Sequence, residues 1–226
     1  MHPRQRDVLI DLFDREFVET QEALGMRVLG QFRDLDDPDR FVWLRGFADM
    51  ASRPLGLEAF YGGPVWAAHR SAANATMIDS DNVLLLRPAW PGAGVVLRSG
   101  DRAPPGSTQL PGGLLEVTVF PLKRPAEEDL LAMARGPMTA ALQASAAEVC
   151  AWYASEPSAN NFPRLPVREG EHVLVSLAMF SDADAQQSFA AGGTWQRDIA
   201  PDLSRFLVDA PRSLRLGPTA RSALHA

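Results

Sequence analysis

The feature that most constrains this chain is that parts of it occur twice. Phe41-Val42-Trp43-Leu44-Arg45-Gly46-Phe47-Ala48-Asp49 matches the stretch Val173 to Asp182, which ends Phe180-Ser181-Asp182. Phe60-Tyr61-Gly62-Gly63-Pro64-Val65-Trp66 matches Phe189-Ala190-Ala191-Gly192-Gly193-Thr194-Trp195. Each half closes on a similar tail, Leu86-Arg87-Pro88-Ala89 and Leu214-Arg215-Leu216-Gly217-Pro218-Thr219-Ala220. Matches in the same order at nearly constant offset are the mark of a duplicated supersecondary unit. The halves run over 1–90 and 113–226. Between them, 91–112 is a linker crowded with proline and glycine and without periodicity.

Local patterns give the unit its content. From Asp7 to Phe17, Val8, Leu9, Leu12, Phe13 and Phe17 recur at helical spacing opposite Asp11, Asp14 and Arg15, which predicts an amphipathic helix. Met26 to Arg33 and Phe41 to Phe47 flank the turn-rich run Asp34 to Asp39 and read as a hairpin. A helical stretch broken near Gly62-Gly63-Pro64 follows. The apolar run Asn82 to Arg87 is then expected to be a strand buried on both faces. After the linker come a strand over Leu114 to Leu122, a helix over Glu127 to Glu148 with a break at Gly136-Pro137, and strands over Val149 to Ser155 and Glu171 to Phe180. A helical region reaches about Val208, and a last strand starts at Ser213.

A βαββαβ unit makes a four-stranded antiparallel sheet with both helices on one face. Two such sheets bury their other faces together, so the fold class expected is α+β with tandem ferredoxin-like repeats of the dimeric α/β-barrel type. The 41–47 strand fits: Phe41, Trp43, Arg45 and Phe47 point one way, Val42, Leu44 and Gly46 the other. The barrel closes either within one chain, as a pseudo-dimer, or between chains as a homo-oligomer.

Composition removes several function classes. With 226 residues, 46% of them hydrophobic, the chain is long enough to bury a core without staples. A net charge of −6 carries no basic footprint for nucleic acid. The single cysteine, Cys150, makes no intrachain disulfide and no thiolate cage, and fits a reducing, cytoplasmic compartment. No apolar run nears the roughly 20 residues of a membrane span. Lys123 is the single lysine among 22 basic residues, a bias that fits a GC-rich bacterial genome.

The helix Arg6 to Phe13, the strand Phe41 to Phe47, and Phe60 to Trp66 with His69 and Asn74 resemble a NIPSNAP domain, strongly over Pro3 to Pro88 and more weakly over Leu114 to Ala220. The resemblance implies the dimeric α/β-barrel fold shared with cofactor-independent monooxygenases, EthD-like proteins and haem enzymes related to chlorite dismutase. It brings no catalytic signature. Members begin with a strand ahead of the first helix, and Met1-His2-Pro3 leaves no room for one. That strand lies centrally, so its absence leaves neighbouring backbone groups unpaired. Either the start is assigned too far downstream, the reading preferred, or a strand from elsewhere fills the place.

Chemistry is sparse by contrast. His2, His69, His172 and His225 are too dispersed for a zinc site. No Gly-x-Ser-x-Gly elbow and no glycine fingerprint for a nucleotide occurs. No metal and no cofactor is expected. The candidate pocket comprises Trp43, Arg45, Tyr61, Trp66 and Asn74, with His69 as candidate catalytic base, around a small apolar ligand. Three functions fit: a binding or assembly module, a cofactor-independent monooxygenase or isomerase acting on a small aromatic or polyketide-like substrate, and a haem protein with His69 or His172 as axial ligand.

Overall fold

The computed structural model describes residues 1–97, 100 and 102–226. The first helix is longer than its apolar repeat suggests: α1 (Arg6–Leu12) passes through a π-helical turn (Phe13–Phe17) into α2 (Val18–Ala23). It stops at Gly25, whose φ of +82° is the left-handed residue of a helix-ending motif. The Met26 amide donates to the Gln21 carbonyl at 3.2 Å and the Gly25 amide to the Glu22 carbonyl at 3.0 Å. Strands β1 (Arg27–Asp34) and β2 (Phe41–Gly46) form the expected hairpin. Helices α3 (Ser52–Tyr61) and α4 (Pro64–Thr76) are separated at Gly62-Gly63, with Pro64 in the first turn of α4 where its missing N–H costs nothing.

The run Asn82 to Arg87 differs from expectation. Strand β3 covers only Leu86–Pro88 and is half-exposed to exposed, because it is an end strand of the sheet with one ladder partner. The second segment opens with β4 (Leu114–Pro121), a strand ahead of its first helix that has no described counterpart before α1. Helices α5 (Glu128–Met133) and α6 (Thr139–Gln143) are joined by a π-helical turn over Ala134–Met138, so the chain passes Gly136-Pro137 without the predicted break. Thr139 Oγ1 donates to the Ala134 carbonyl at 2.7 Å there. Then come β5 (Glu148–Ser155), β6 (Val173–Phe180), α7 (Ala183–Ala191), a third π-helical turn (Trp195–Ile199), α8 (Ala200–Leu203) and β7 (Arg212–Pro218). Helix stops at Leu203, short of Val208, because the chain bends back onto the end of β4: the Lys123 amide donates to the Phe206 carbonyl and the Val208 amide to the Pro121 carbonyl.

All strand pairs are antiparallel, in one curled sheet of order β2-β1-β7-β4-β6-β5-β3. The middle four belong to the second segment, with β4 and β6 paired along eight residues. The first segment's strands attach at both ends through short seams. Phe32–Asp34 pairs with Leu216–Pro218, and Leu86–Pro88 with Tyr153–Ser155. No described strand stands before α1, and β2 and β3 end the sheet.

Three apolar cores follow. One packs α5–α8 on β4–β6, and another packs α1–α4 on β1 and β2. The third lies on the opposite, concave face. The second core borrows from far away: Phe162, in the long β5–β6 connection, stacks on Tyr61 with ring centroids 6.3 Å apart. The buried Arg53 holds that connection by donating to Asn160 and Asn161 side-chain oxygens at 3.0 and 2.8 Å.

Candidate functional site

Alternation along each strand sends one set of side chains to the helices and the other to the concave face. On β2, Phe41 and Trp43 enter the helical core while Val42 and Leu44 enter the concave one, as the alternation predicts. The concave face is made of Phe32, Leu115, Val117, Val175, Leu177 and Leu216 with their neighbours, all apolar. The segment after β3 lays Val95 and Leu97 over it, and the end of the chain lays Leu224 there. Among the described residues the cover is incomplete toward β2, β3 and β7, where Val42, Leu44, Leu84, Leu86 and Leu214 are partly exposed.

Among the described residues, the side chains of Tyr153 and Cys150 are polar groups that reach this face. The Tyr153 hydroxyl accepts from the Val95 amide at 3.0 Å, and burial raises its pKa despite that bond. Burial, reinforced by the Glu148 charge, pushes the Cys150 thiol up to about 12. Both stay protonated at neutral pH, so the face offers apolar contact and neutral polar groups, with neither a thiolate nor a phenolate.

The pocket residues predicted from sequence lie on the helical side. Trp43 packs on Phe13 and Phe41 at centroid distances of 5.6 and 5.2 Å. Tyr61 and Trp66 meet edge to face at 4.9 Å, and Trp66 leans on Phe17 at 5.6 Å. Arg45 donates to Gln21 Oε1 at 2.8 Å and lies 5.9 Å from the Phe47 centroid. His69 Nε2 stands 3.6 Å from Glu16 Oε2, its ring against Phe17, with about a third of the side chain exposed. Asn74 is exposed further along α4, and its backbone carbonyl takes the Met77 amide at 3.2 Å. The structure thus gathers Tyr61, Trp66 and His69 and sets Asn74 apart on the surface, while His172 sits at the start of β6, where its carbonyl accepts the Leu122 amide.

Sequence reasoning missed a buried polar cluster assembled from four distant stretches. Asp14, in the first π-helical turn, is only 8% exposed and accepts from Gln31 Nε2 at 2.9 Å. Burial raises its pKa, opposed by the bond from Gln31, by the neighbouring Thr219 hydroxyl and by the charges of Arg221 and Arg102. Arg221, 2% exposed, donates to the Asp14 carbonyl, the Ala103 carbonyl and the Glu19 carboxylate, whose pKa that bond lowers. Arg102 donates to Gln31 Oε1 at 3.3 Å, the Arg221 carbonyl at 2.6 Å and Glu22 Oε1 at 3.0 Å, and also to the Val28 carbonyl. No spacing rule links positions so far apart. The one available signal was an arginine in a tail of small residues.

A hollow of about 250 Å³ lies beside this cluster, between Ala103, Ser107, Leu110, Ala220, Ser222 and His225. Another, of about 420 Å³, is bounded by Lys123, Arg124, Asp129, Arg205 and Phe206. Among the described residues, no group of three or more His, Cys, Asp or Glu side chains is placed to hold a metal, and no helix is long and apolar enough to cross a membrane.

No family model and no curated protein matches the chain. A solved structure described as a crystal structure study of an anthrone oxidase-like protein is similar in fold. Its TM-score is 0.57 at 16% identity, covering 99% of this chain and 91% of that one. The curled antiparallel sheet with helices on its convex side places the protein in the dimeric α/β-barrel type of fold.

Proposed function

We propose that this chain is a NIPSNAP-type module of two tandem repeats, 1–90 and 113–226, that binds a small apolar molecule on the concave face of its sheet. The observation that carries the reading is the incomplete cover of that face. Val42, Leu44, Leu84, Leu86 and Leu214 form an apolar border left partly in water, and such surface in a concavity is what a ligand covers. The repeat is supported by features beyond the sequence matches. Both segments carry a π-helical turn midway through the first helix, and both carry a Gly-Gly pair between a Phe and a Trp whose rings meet, at 5.8 Å for Phe60–Trp66 and 6.3 Å for Phe189–Trp195. A cytoplasmic location, argued from the lone cysteine, belongs to the same reading. The test is titration with the neutral fluorophore Nile red, with Leu44→Asp as control. Binding that Leu44→Asp weakens by about tenfold or more is expected, since a buried Leu side chain is worth roughly 2 kcal/mol. Equal binding by both chains rejects the concave face as the site.

The fold likeness to an anthrone oxidase-like protein favours a second reading, a cofactor-independent oxygenase for a small aromatic or polyketide-like substrate. Oxidising an anthrone methylene to a carbonyl consumes one O₂ and releases one water. It begins with loss of a methylene proton to a base. Tyr153 and Cys150 are held protonated, so His69, paired with Glu16 beside Tyr61 and Trp66, is the base this reading requires. Oxygen uptake with anthrone that His69→Gln abolishes supports it. No uptake, or uptake unchanged by that substitution, rejects His69.

A further inference from the structure

We infer that the segment Ala220–Ala226 is a separately opening plug for one mouth of the concave face, clasped by Arg102 and Arg221. As a control of ligand access it rests on the binding reading above; as a separately moving segment it does not.

Strand β7 ends at Pro218, and the Thr219 amide makes the last ladder-like bond, to the Gln31 carbonyl at 2.9 Å. Beyond it the chain leaves the sheet yet stays buried: Arg221, Ser222, Ala223 and Leu224 are each less than a tenth exposed. What keeps them in place differs from what holds a strand. Ser222 Oγ accepts from the Gln31 amide at 3.2 Å and donates to the Leu224 carbonyl at 2.9 Å, and the Ala226 amide donates to the Gly112 carbonyl at 3.2 Å. Two guanidinium groups add further polar ties. Arg221 reaches back to α2 at Glu19, and Arg102 crosses over the Arg221 carbonyl to Glu22. Leu224 is the one large apolar side chain the segment places in the concave core.

This arrangement has a weak side and a strong side. Glu19 and Glu22 are 52% and 40% exposed at their side chains, so their pairing with arginine is open to screening by salt. Strands β4 and β6, by contrast, carry eight-residue ladders inside the sheet. Releasing the clasp frees Leu224 while breaking no strand pair, so the segment opens at lower free energy than the sheet. When it opens, the apolar surface beneath Leu224 becomes continuous with the mouth of the sheet, and a ligand gains a way in.

Hydrogen exchange on the whole chain, followed by mass spectrometry at low salt and at about 1 M NaCl, tests this. Amides of 221–226 are expected to exchange roughly tenfold or more faster than those of β4 and β6, and faster again in high salt or in Arg102→Gln, with β4 and β6 unchanged. Nile red fluorescence should rise along with that release. Exchange of 221–226 in step with β4 and β6, in both salts and in the variant, overturns the proposal. Separate, salt-dependent opening with no rise in Nile red leaves the plug standing and removes the binding reading instead.

Discussion

Ala146 holds φ at +58°, the conformation that glycine adopts without cost and a side chain does not. It ends α6 as Gly25 ends α2: the Ala147 amide donates to the Leu142 carbonyl, and the Ala146 amide to that of Gln143. Both positions close a helix with the same pair of backbone bonds, and one of them carries the wrong residue for its backbone. Ala146→Gly is therefore expected to stabilise the protein by about 1 kcal/mol, and Gly25→Ala, whose added methyl meets nothing within 4 Å, to destabilise it by a similar amount through backbone strain alone. Chemical denaturation of the two variants checks both signs. Asp14 provides a second residue-scale test. Folding raises its pKa through burial, so the acid form suits the site better. The stability it confers is complete below the ordinary carboxyl range and is lost as pH rises through the raised value. Asp14→Asn keeps the oxygen that Gln31 bonds and removes the charge. Its melting temperature should exceed that of the unaltered chain by a few degrees at pH 7, with the gap closing as pH falls toward 4; a variant less stable at pH 7 contradicts this account.

Among the elements, the β5–β6 connection ties the second segment to the helical core of the first. Phe162 enters a core made otherwise by α1–α4, β1 and β2, and Arg53 anchors the connection from α3. Phe162→Ala should cost about 3 kcal/mol, as truncation of a buried aromatic does, and quench or shift the fluorescence of Trp66, whose neighbour Tyr61 loses its stacking partner. A loss under about 1 kcal/mol, as at surface positions, means that the connection rides on the core without completing it. This element was not legible beforehand. Residues 156–172 lack periodicity, and only their three-dimensional neighbours show why a phenylalanine sits there. The strands and helices with regular spacing were legible to within a few residues, from the hairpin at 27–46 to the last strand. Misread were the places where a local signal met a tertiary demand. Gly136-Pro137 signals a break that a π-helical turn absorbs, and the apolar run at 82–87 signals burial that an end strand does not receive.

At the scale of the molecule, the seams decide behaviour. Each joins the segments through only three paired residues, against eight for β4 and β6. Hydrogen exchange should therefore show greatest protection in β4 and β6, and lower, mutually similar protection for β3 and for the part of β1 that pairs with β7. Uniform protection across all seven strands rejects the seams as weak points. The sequence alone determined the alternation that sends Trp43 and Val42 to opposite faces and the apolar content of both, because these depend on periodicities of a few residues. Which edges join, which residue closes which mouth, and where Asp14, Arg102 and Arg221 meet were decided by the tertiary structure. Those contacts link positions as much as 207 apart in the chain. No local pattern encodes the meeting of such distant groups, which is fixed only when two curved sheet segments pair edge to edge and bury what lies between them.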